Sequence, residues 1–218
     1  MQASAMGMAA TFCPDCTLCP RLSSFLASNA RKFPDYHNKP VAPFGEAAPK
    51  LLIVGLAPGM HGANRTGRPF TGDFAGILLY ESLFGLSLSS AKTSVDAHDG
   101  LRLKGVRITN AVKCLPPENK PLPAEIKICN RYLSAELENL HSAKTILALG
   151  TVAHDSVLTA LGLKRSAAKF GHAREHALPD NRLMIDSYHC SRYNTQTRRL
   201  TPEMFRSVLA RAAAHAGL

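Results

Sequence analysis

Six cysteines and one glycine-rich loop hold most of the reactive chemistry in this 218-residue chain. Cys13-Pro14-Asp15-Cys16-Thr17-Leu18-Cys19 contains two overlapping Cys-x-x-Cys steps, and Cys114 and Cys129 have fourteen residues between them. A Cys-x-x-Cys step brings two thiolates to one metal centre from a turn. A second pair completes a four-thiolate site, with Cys13/Cys16 and Cys16/Cys19 competing for the first pair. That spacing suits tetrahedral zinc and an iron–sulfur cluster equally. In a cytoplasmic chain, the location expected below, metal ligands or inert thiols fit these cysteines better than disulfides.

The loop runs from Gly55 to Asp73, with five glycines in nineteen residues. Glycine lets backbone N–H groups approach a ligand closely. The loop lacks Gly-x-x-x-x-Gly-Lys-Ser/Thr and Gly-x-Gly-x-x-Gly, so neither nucleotide fingerprint is present. What it offers is an aromatic ring (Phe70), two cations (Arg65, Arg68) and a carboxylate (Asp73). Two further stretches add amides and an imidazole: Asn110 and Asn119, and His189.

The elements that must position these groups alternate. Leu51–Val54 is a short apolar run bounded by Pro49 and Gly55, and reads as a buried strand. A helical pattern follows Asp73, which stands where a helix N-cap belongs. Residues 87–104 are polar and aperiodic. Val106–Val112 reads as a second strand, and the proline-rich 115–123 stretch as a stiff loop leading into a helix at Pro123. Thr145–Leu149 and Leu183–Ser187 complete four strands, with helices over 22–32, 152–161 and from Thr201. Residues 164–180 are basic and histidine-rich without a periodic pattern. The alternation predicts one α/β domain over 1–218, with a mostly parallel four-stranded sheet covered by helices on both faces. Loops 55–73, 113–122 and 188–194 then converge at one edge of the sheet, where ligands bind in open α/β folds.

Composition narrows the partner. Lys+Arg 26 against Asp+Glu 16 gives a net charge of +10 and a pI near 9.6, pointing to a polyanion, nucleic acid first. Aromatics make up 6% and Trp is absent, which argues against a broad base-stacking platform. No apolar run approaches the ~18 residues of a membrane span, and Met1–Phe12 lacks a basic leader region. A cytoplasmic monomer is expected.

Three motifs carry a resemblance. Gly55-Leu56-Ala57-Pro58-Gly59 with Asn64-Arg65-Thr66-Gly67-Arg68-Pro69-Phe70-Thr71-Gly72-Asp73 resembles the first motif of the family 5 uracil-DNA glycosylases. Asn110-Ala111-Val112-Lys113-Cys114-Leu115-Pro116-Pro117-Glu118-Asn119-Lys120-Pro121 resembles the middle motif, and Ser187–Thr197 the last. Cys16-Thr17-Leu18-Cys19-Pro20-Arg21-Leu22 is similar to the amino-terminal metal segment. The likeness spans nearly the whole chain in motif order. It implies a three-layer α/β/α fold, excision of uracil and of other deaminated bases from DNA, and a 4Fe–4S cluster on Cys16, Cys19, Cys114 and Cys129.

Excision passes through an oxocarbenium-like sugar and an anionic base, with the nucleotide flipped out of the helix. Phe70 then serves as stacking plate, unless it is merely a loop anchor. Asn110 reads the base edge over the Gly55–Ala57 backbone, or is simply structural. Asn119 is the better match to the family's functional asparagine. His189 donates to the leaving base, and Asp73 positions water or balances the sugar cation, a role compatible with capping. Arg65, Arg68, Lys113, Lys120 and Arg192 are the expected DNA-phosphate contacts, and Arg192, Tyr193 and Asn194 enter the DNA to support flipping. One departure stands out: Cys190 follows the histidine where many relatives have Pro or another apolar residue. Ala57 and Met60 lie where the family has an apolar residue and the best-known uracil excisers carry an acid. The competing reading is a non-catalytic binder of damaged or abasic DNA with the same cluster. A Cys-x-x-Cys redox protein explains none of the central loop.

Overall fold

The computed structural model describes residues 11–218, so the reading of the chain's first ten residues lies outside it. A six-stranded sheet has the order β1-β3-β2-β4-β6-β5. Its strands are β1 (Phe44–Gly45), β2 (Leu51–Gly55), β3 (Val106–Asn110), β4 (Thr145–Leu149), β5 (Glu175–Ala177) and β6 (Leu183–Ser187). The four expected strands, β2, β3, β4 and β6, form a wholly parallel centre. The expected four-stranded sheet is thus corrected to six, because β1 and β5 pair antiparallel on its two edges. Both are only two or three residues long and largely exposed, so neither carries an apolar alternation that a sequence pattern would register.

Among the described residues seven α-helices accompany the sheet: α1 (Pro20–Lys32), α2 (Ala63–Thr66), α3 (Phe74–Gly85), α4 (Pro123–Asn139), α5 (Thr151–Ala160), α6 (Arg192–Gln196) and α7 (Pro202–His215). Successive residues of a strand face opposite ways, and β2 shows the result. Leu51 and Ile53 pack with Leu79 and Leu83 of α3 and Phe205 and Leu209 of α7, while Leu52 and Val54 pack with Leu133 of α4 and Val157 and Leu158 of α5. A continuous apolar run buried on both faces is what a central parallel strand requires.

The helix starts follow from local chemistry. Proline opens α1, α4 and α7, where its missing N–H costs nothing. Thr201 accepts the Met204 N–H at 3.2 Å and caps α7. Arg21 of α1 grips Glu125 of α4 through two 2.7 Å bonds, fastening the cysteine segment to the body of the fold.

Candidate active site

The carboxyl ends of β2 and β3 carry the site's floor. Gly55 pairs with Asn110 in register. A side chain at Gly55 would collide with Asn110 Oδ1 and the Phe70 ring, so only glycine lets the three approach. Phe70 sits at φ +53 in the loop after α2, a conformation uncommon for an aromatic residue. The Tyr80 hydroxyl donates to the Pro69 carbonyl at 3.1 Å, and Thr66 Oγ1 to the Thr71 carbonyl at 3.2 Å, holding that turn. Phe70 is buried core, as the anchoring reading has it, and its residue also lines the cavity described next.

Above this floor lies a cavity of about 580 Å³ lined by Ala57, Phe70, Asp73, Asn110, Asn119, His189 and Arg192 among others. The Phe70 and His189 rings face each other at 5.9 Å between centroids and 28° between planes. Burial alone pushes the His189 imidazole down to about 4, so at neutral pH it is an uncharged N–H donor. Asn110 Oδ1 is buried without a hydrogen-bond partner. Such a group is costly unless a ligand satisfies it.

Asp73 is the N-cap of α3: its Oδ1 accepts the Gly76 N–H at 2.8 Å. The other oxygen faces Gly59 and Gly62, and a side chain at Gly62 would strike the carboxylate. Burial raises the Asp73 pKa, against the opposing hydrogen bonds from Gly76 and Ala75. Asn119 is exposed at the mouth, on a 3-10 turn where it and Glu118 have φ of +56 and +55. Cys190 is wholly buried in the apolar core, and its thiol is pushed up by burial first and the Asp73 charge second. It packs as an inert small side chain.

The cysteine segment borders a second, narrow cavity. Cys13, Cys16, Cys19, Cys114 and Cys129 all line it, with Leu22 and Tyr132. Burial and neighbouring sulfurs push Cys114 up to about 12; burial, then Cys129, Glu125 and Cys16, push Cys19 up to about 11. The backbone N–H of Lys113 donates to Cys129 Sγ at 3.3 Å. Among the described residues, the only trio of His, Cys, Asp or Glu ligand atoms all within 4.8 Å of one another is His154, His176 and Asp186; the cysteines form no such trio.

Residues 42–213 match the Uracil DNA glycosylase superfamily. The chain is 46% identical to a type-5 uracil-DNA glycosylase of Thermus thermophilus over 93% of its own length and 94% of the relative's. It is 41% identical to type-5 enzymes of Pyrobaculum aerophilum and Mycobacterium tuberculosis, over 93% of this chain and 90% and 79% of theirs. The chain belongs to the uracil-DNA glycosylase superfamily.

For a member of that superfamily, two of the expected DNA contacts are misplaced. Arg68 is buried, donating to Asp99 at 2.7 Å, Ser94 at 2.8 Å and the Ala97 carbonyl at 3.0 Å, with its guanidinium 4.3 Å from the Phe44 ring centre. Lys113 is buried too, bonded to Thr109 and paired with Glu136 at 3.4 Å. A buried, paired cation does not reach a phosphate, so both are corrected to structural roles. Arg65, Lys120 and Arg192 are exposed, Arg192 at the cavity wall 5.5 Å from the Phe74 ring centre. Tyr193 projects beside it, 71% exposed.

Sequence reasoning missed the residues behind the site. Residues 164–180 contribute His172, whose Nδ1 accepts the Tyr188 N–H, and His176, which joins His154 and Asp186 in a buried cluster. The only signal was a local excess of histidine.

Proposed function

We infer that this protein is a monofunctional uracil-DNA glycosylase: it flips uracil out of DNA and hydrolyses the N-glycosidic bond, the first step of base excision repair. The observation that carries the reading is a cavity lined by Asn110, Phe70, Asp73 and His189, with the Asn110 Oδ1 buried and unpartnered at its floor. A uracil stacked on Phe70 presents an N3–H donor and a C4 carbonyl, which match the two ends of one carboxamide. Cytosine presents the opposite pattern, leaving the Asn110 oxygen facing a lone pair.

The residues divide the reaction between them. The base enters over the Gly55–Ala57 backbone and stacks on Phe70. Asp73, one oxygen tied to Gly76 and the other facing the cavity, directs water to the sugar carbon and balances the cationic sugar. Asn119 at the mouth shares that water. As the bond breaks, its electron pair passes to the base, and a neutral His189 N–H stabilises the anion. The water's second proton leaves through Asp73 to solvent. Arg65, Lys120 and Arg192 hold the DNA backbone.

The cysteine segment fits a 4Fe–4S cluster on Cys16, Cys19, Cys114 and Cys129. The donors are all thiols lining one narrow cavity, the ligand set that an iron–sulfur cluster takes. A cluster bound there takes no part in the hydrolysis; it ties the amino-terminal segment to α4. The whole is read as one catalytic domain acting on cytoplasmic DNA as a monomer.

The test is incubation with duplexes carrying uracil, hypoxanthine or xanthine, followed by cleavage at abasic sites. Cleavage at uracil is expected. No cleavage at any of the three, with DNA still bound, would leave only a damage-binding protein.

A further inference from the structure

We propose that His172 is a positioning residue for His189, acting through the backbone of Tyr188. The inference rests on His189 acting in base excision as set out above.

β6 ends at Ser187, its last residue paired with β4, so the ladder does not fix the backbone of residues 188 and 189. Side chains do. The Tyr188 N–H donates to His172 Nδ1 at 3.2 Å, and the Tyr188 ring stacks on the His172 ring at 5.0 Å and 12°. The Arg199 guanidinium lies 4.6 Å from the Tyr188 ring centre. On the far side, the His189 carbonyl accepts Asn194 Nδ2 at 2.8 Å. His189 is thus held from both sides: on the amino-terminal side His172 Nδ1 accepts the Tyr188 N–H, and Ser187 Oγ donates to the Tyr188 carbonyl at 2.9 Å.

His172 is itself anchored to the sheet. Asp186, fully buried on β6, accepts the Gly171 N–H at 3.1 Å through its carboxylate and the Ala173 N–H at 2.8 Å through its carbonyl, bracketing His172. The same carboxylate meets His154 Nδ1 at 2.8 Å and His176 Nε2 at 2.9 Å. His154 Nε2 faces the Ala168 carbonyl at 3.1 Å, so the segment is pinned before and after His172. Accepting an N–H requires His172 Nδ1 to carry no proton, which puts the ring proton on Nε2. Burial, then the Arg211 charge, lowers the His172 pKa and favours that neutral form.

The arrangement matters because a donor to a developing anion works only at the position the anion will occupy. Loosening the Tyr188 peptide lets the His189 ring drift from Phe70 without removing any group from the cavity.

The experiment is a double-mutant cycle on the full, metal-loaded chain, read by single-turnover uracil excision with affinity measured separately. His172→Phe keeps a ring but no acceptor, and slows excision about tenfold with affinity unchanged. His172→Asn restores an acceptor near the Nδ1 position and recovers the rate to within about threefold. In a His189→Ala background, His172→Phe adds less than about a twofold loss. Equal losses in both backgrounds overturn the proposal, since His172 would then act as general scaffold; so does an unchanged rate in His172→Phe. Should His172→Phe fail to fold, His172→Gln, whose carbonyl reaches past the Nδ1 position, replaces it. Hydrogen exchange at the Tyr188 amide reads the contact without activity. It should speed up in His172→Phe and slow again in His172→Asn, and no change would overturn the contact even if the wild-type chain excised nothing.

Discussion

Asp73 Oδ1 accepts the backbone N–H of Gly76 at 2.8 Å, so the carboxylate that faces the cavity is also the cap of α3. The bond fixes one oxygen and leaves the other for water. It also sets a pH dependence. Burial raises the Asp73 pKa above its ordinary 3.8, while burial holds His189 near 4. Only ionised Asp73 can direct water, so the single-turnover rate should climb with pH through the raised Asp73 pKa and level off above it. Asp73→Asn keeps the cap's shape without the charge, and should be slower by about 10²-fold and flat across that range. A rate profile in which the acid limb survives Asp73→Asn assigns the limb to another group.

In the mechanism proposed above, Phe70 and His189, whose rings stack at 5.9 Å in the cavity lining, act at different stages. Phe70 holds the flipped base before any bond breaks, so Phe70→Ala should weaken binding to uracil-containing duplex by about 1–3 kcal/mol. His189 meets charge that exists only as the bond breaks, so His189→Ala should cost about 10²–10³ in single-turnover rate with affinity nearly unchanged. Titrations and rates on the same duplex separate the two. Parental rates in both His189→Ala and Asp73→Asn would move the water chemistry to the Asn119 loop.

Metal should be coupled to folding. Cys114 and Cys129 are buried thiols in one cavity with Cys16 and Cys19. Cys114→Ser or Cys129→Ser should lower iron content and soluble yield together, because thiolate–metal bonds are part of the folding free energy. Cys190→Ser, in the apolar core away from that cavity, should leave iron content unchanged. Zinc without iron after anaerobic purification would refute the cluster.

The parallel centre of the sheet was legible because Leu51–Val54 and Thr145–Leu149 are apolar runs bounded by turn signals, which lone edge strands such as Glu175–Ala177 are not. The lining of the candidate site was legible where residue type stands out locally: Phe70 in a polar loop, Asp73 before a helix and His189 after a strand all border one cavity. Charge failed as a guide. Arg68 and Lys113 read as surface cations because partners distant in sequence, Asp99 and Glu136, bury them. His172 was illegible for a related reason: its role comes from one backbone N–H that a three-dimensional crossing brings to it.

The contrast between exposed and buried cations gives the last prediction. Each phosphate contact contributes about 0.9 to the slope of log affinity against log salt. Arg65→Ala and Arg192→Ala should each lower that slope by about one and leave thermal stability nearly unchanged, since both side chains are exposed. Arg68→Ala should do the reverse. It strands Asp99, which is 15% exposed and held near 2 against the opposing effect of burial by the Leu101 and Val95 N–H groups and by Arg68. Removing one partner of this part-buried, charge-assisted pair costs about 1.5–3 kcal/mol, while the salt slope stays where it was. The depressed Asp99 pKa adds a sign: its contribution is full above about pH 4 and is lost as pH falls toward 2. The part of the Arg68→Ala deficit that comes from the Asp99 pair should therefore shrink as pH falls through that window. Chemical denaturation at pH 7 and pH 3, beside salt titrations of duplex binding, measures both effects, and a reduced salt slope in Arg68→Ala would return this arginine to the DNA surface.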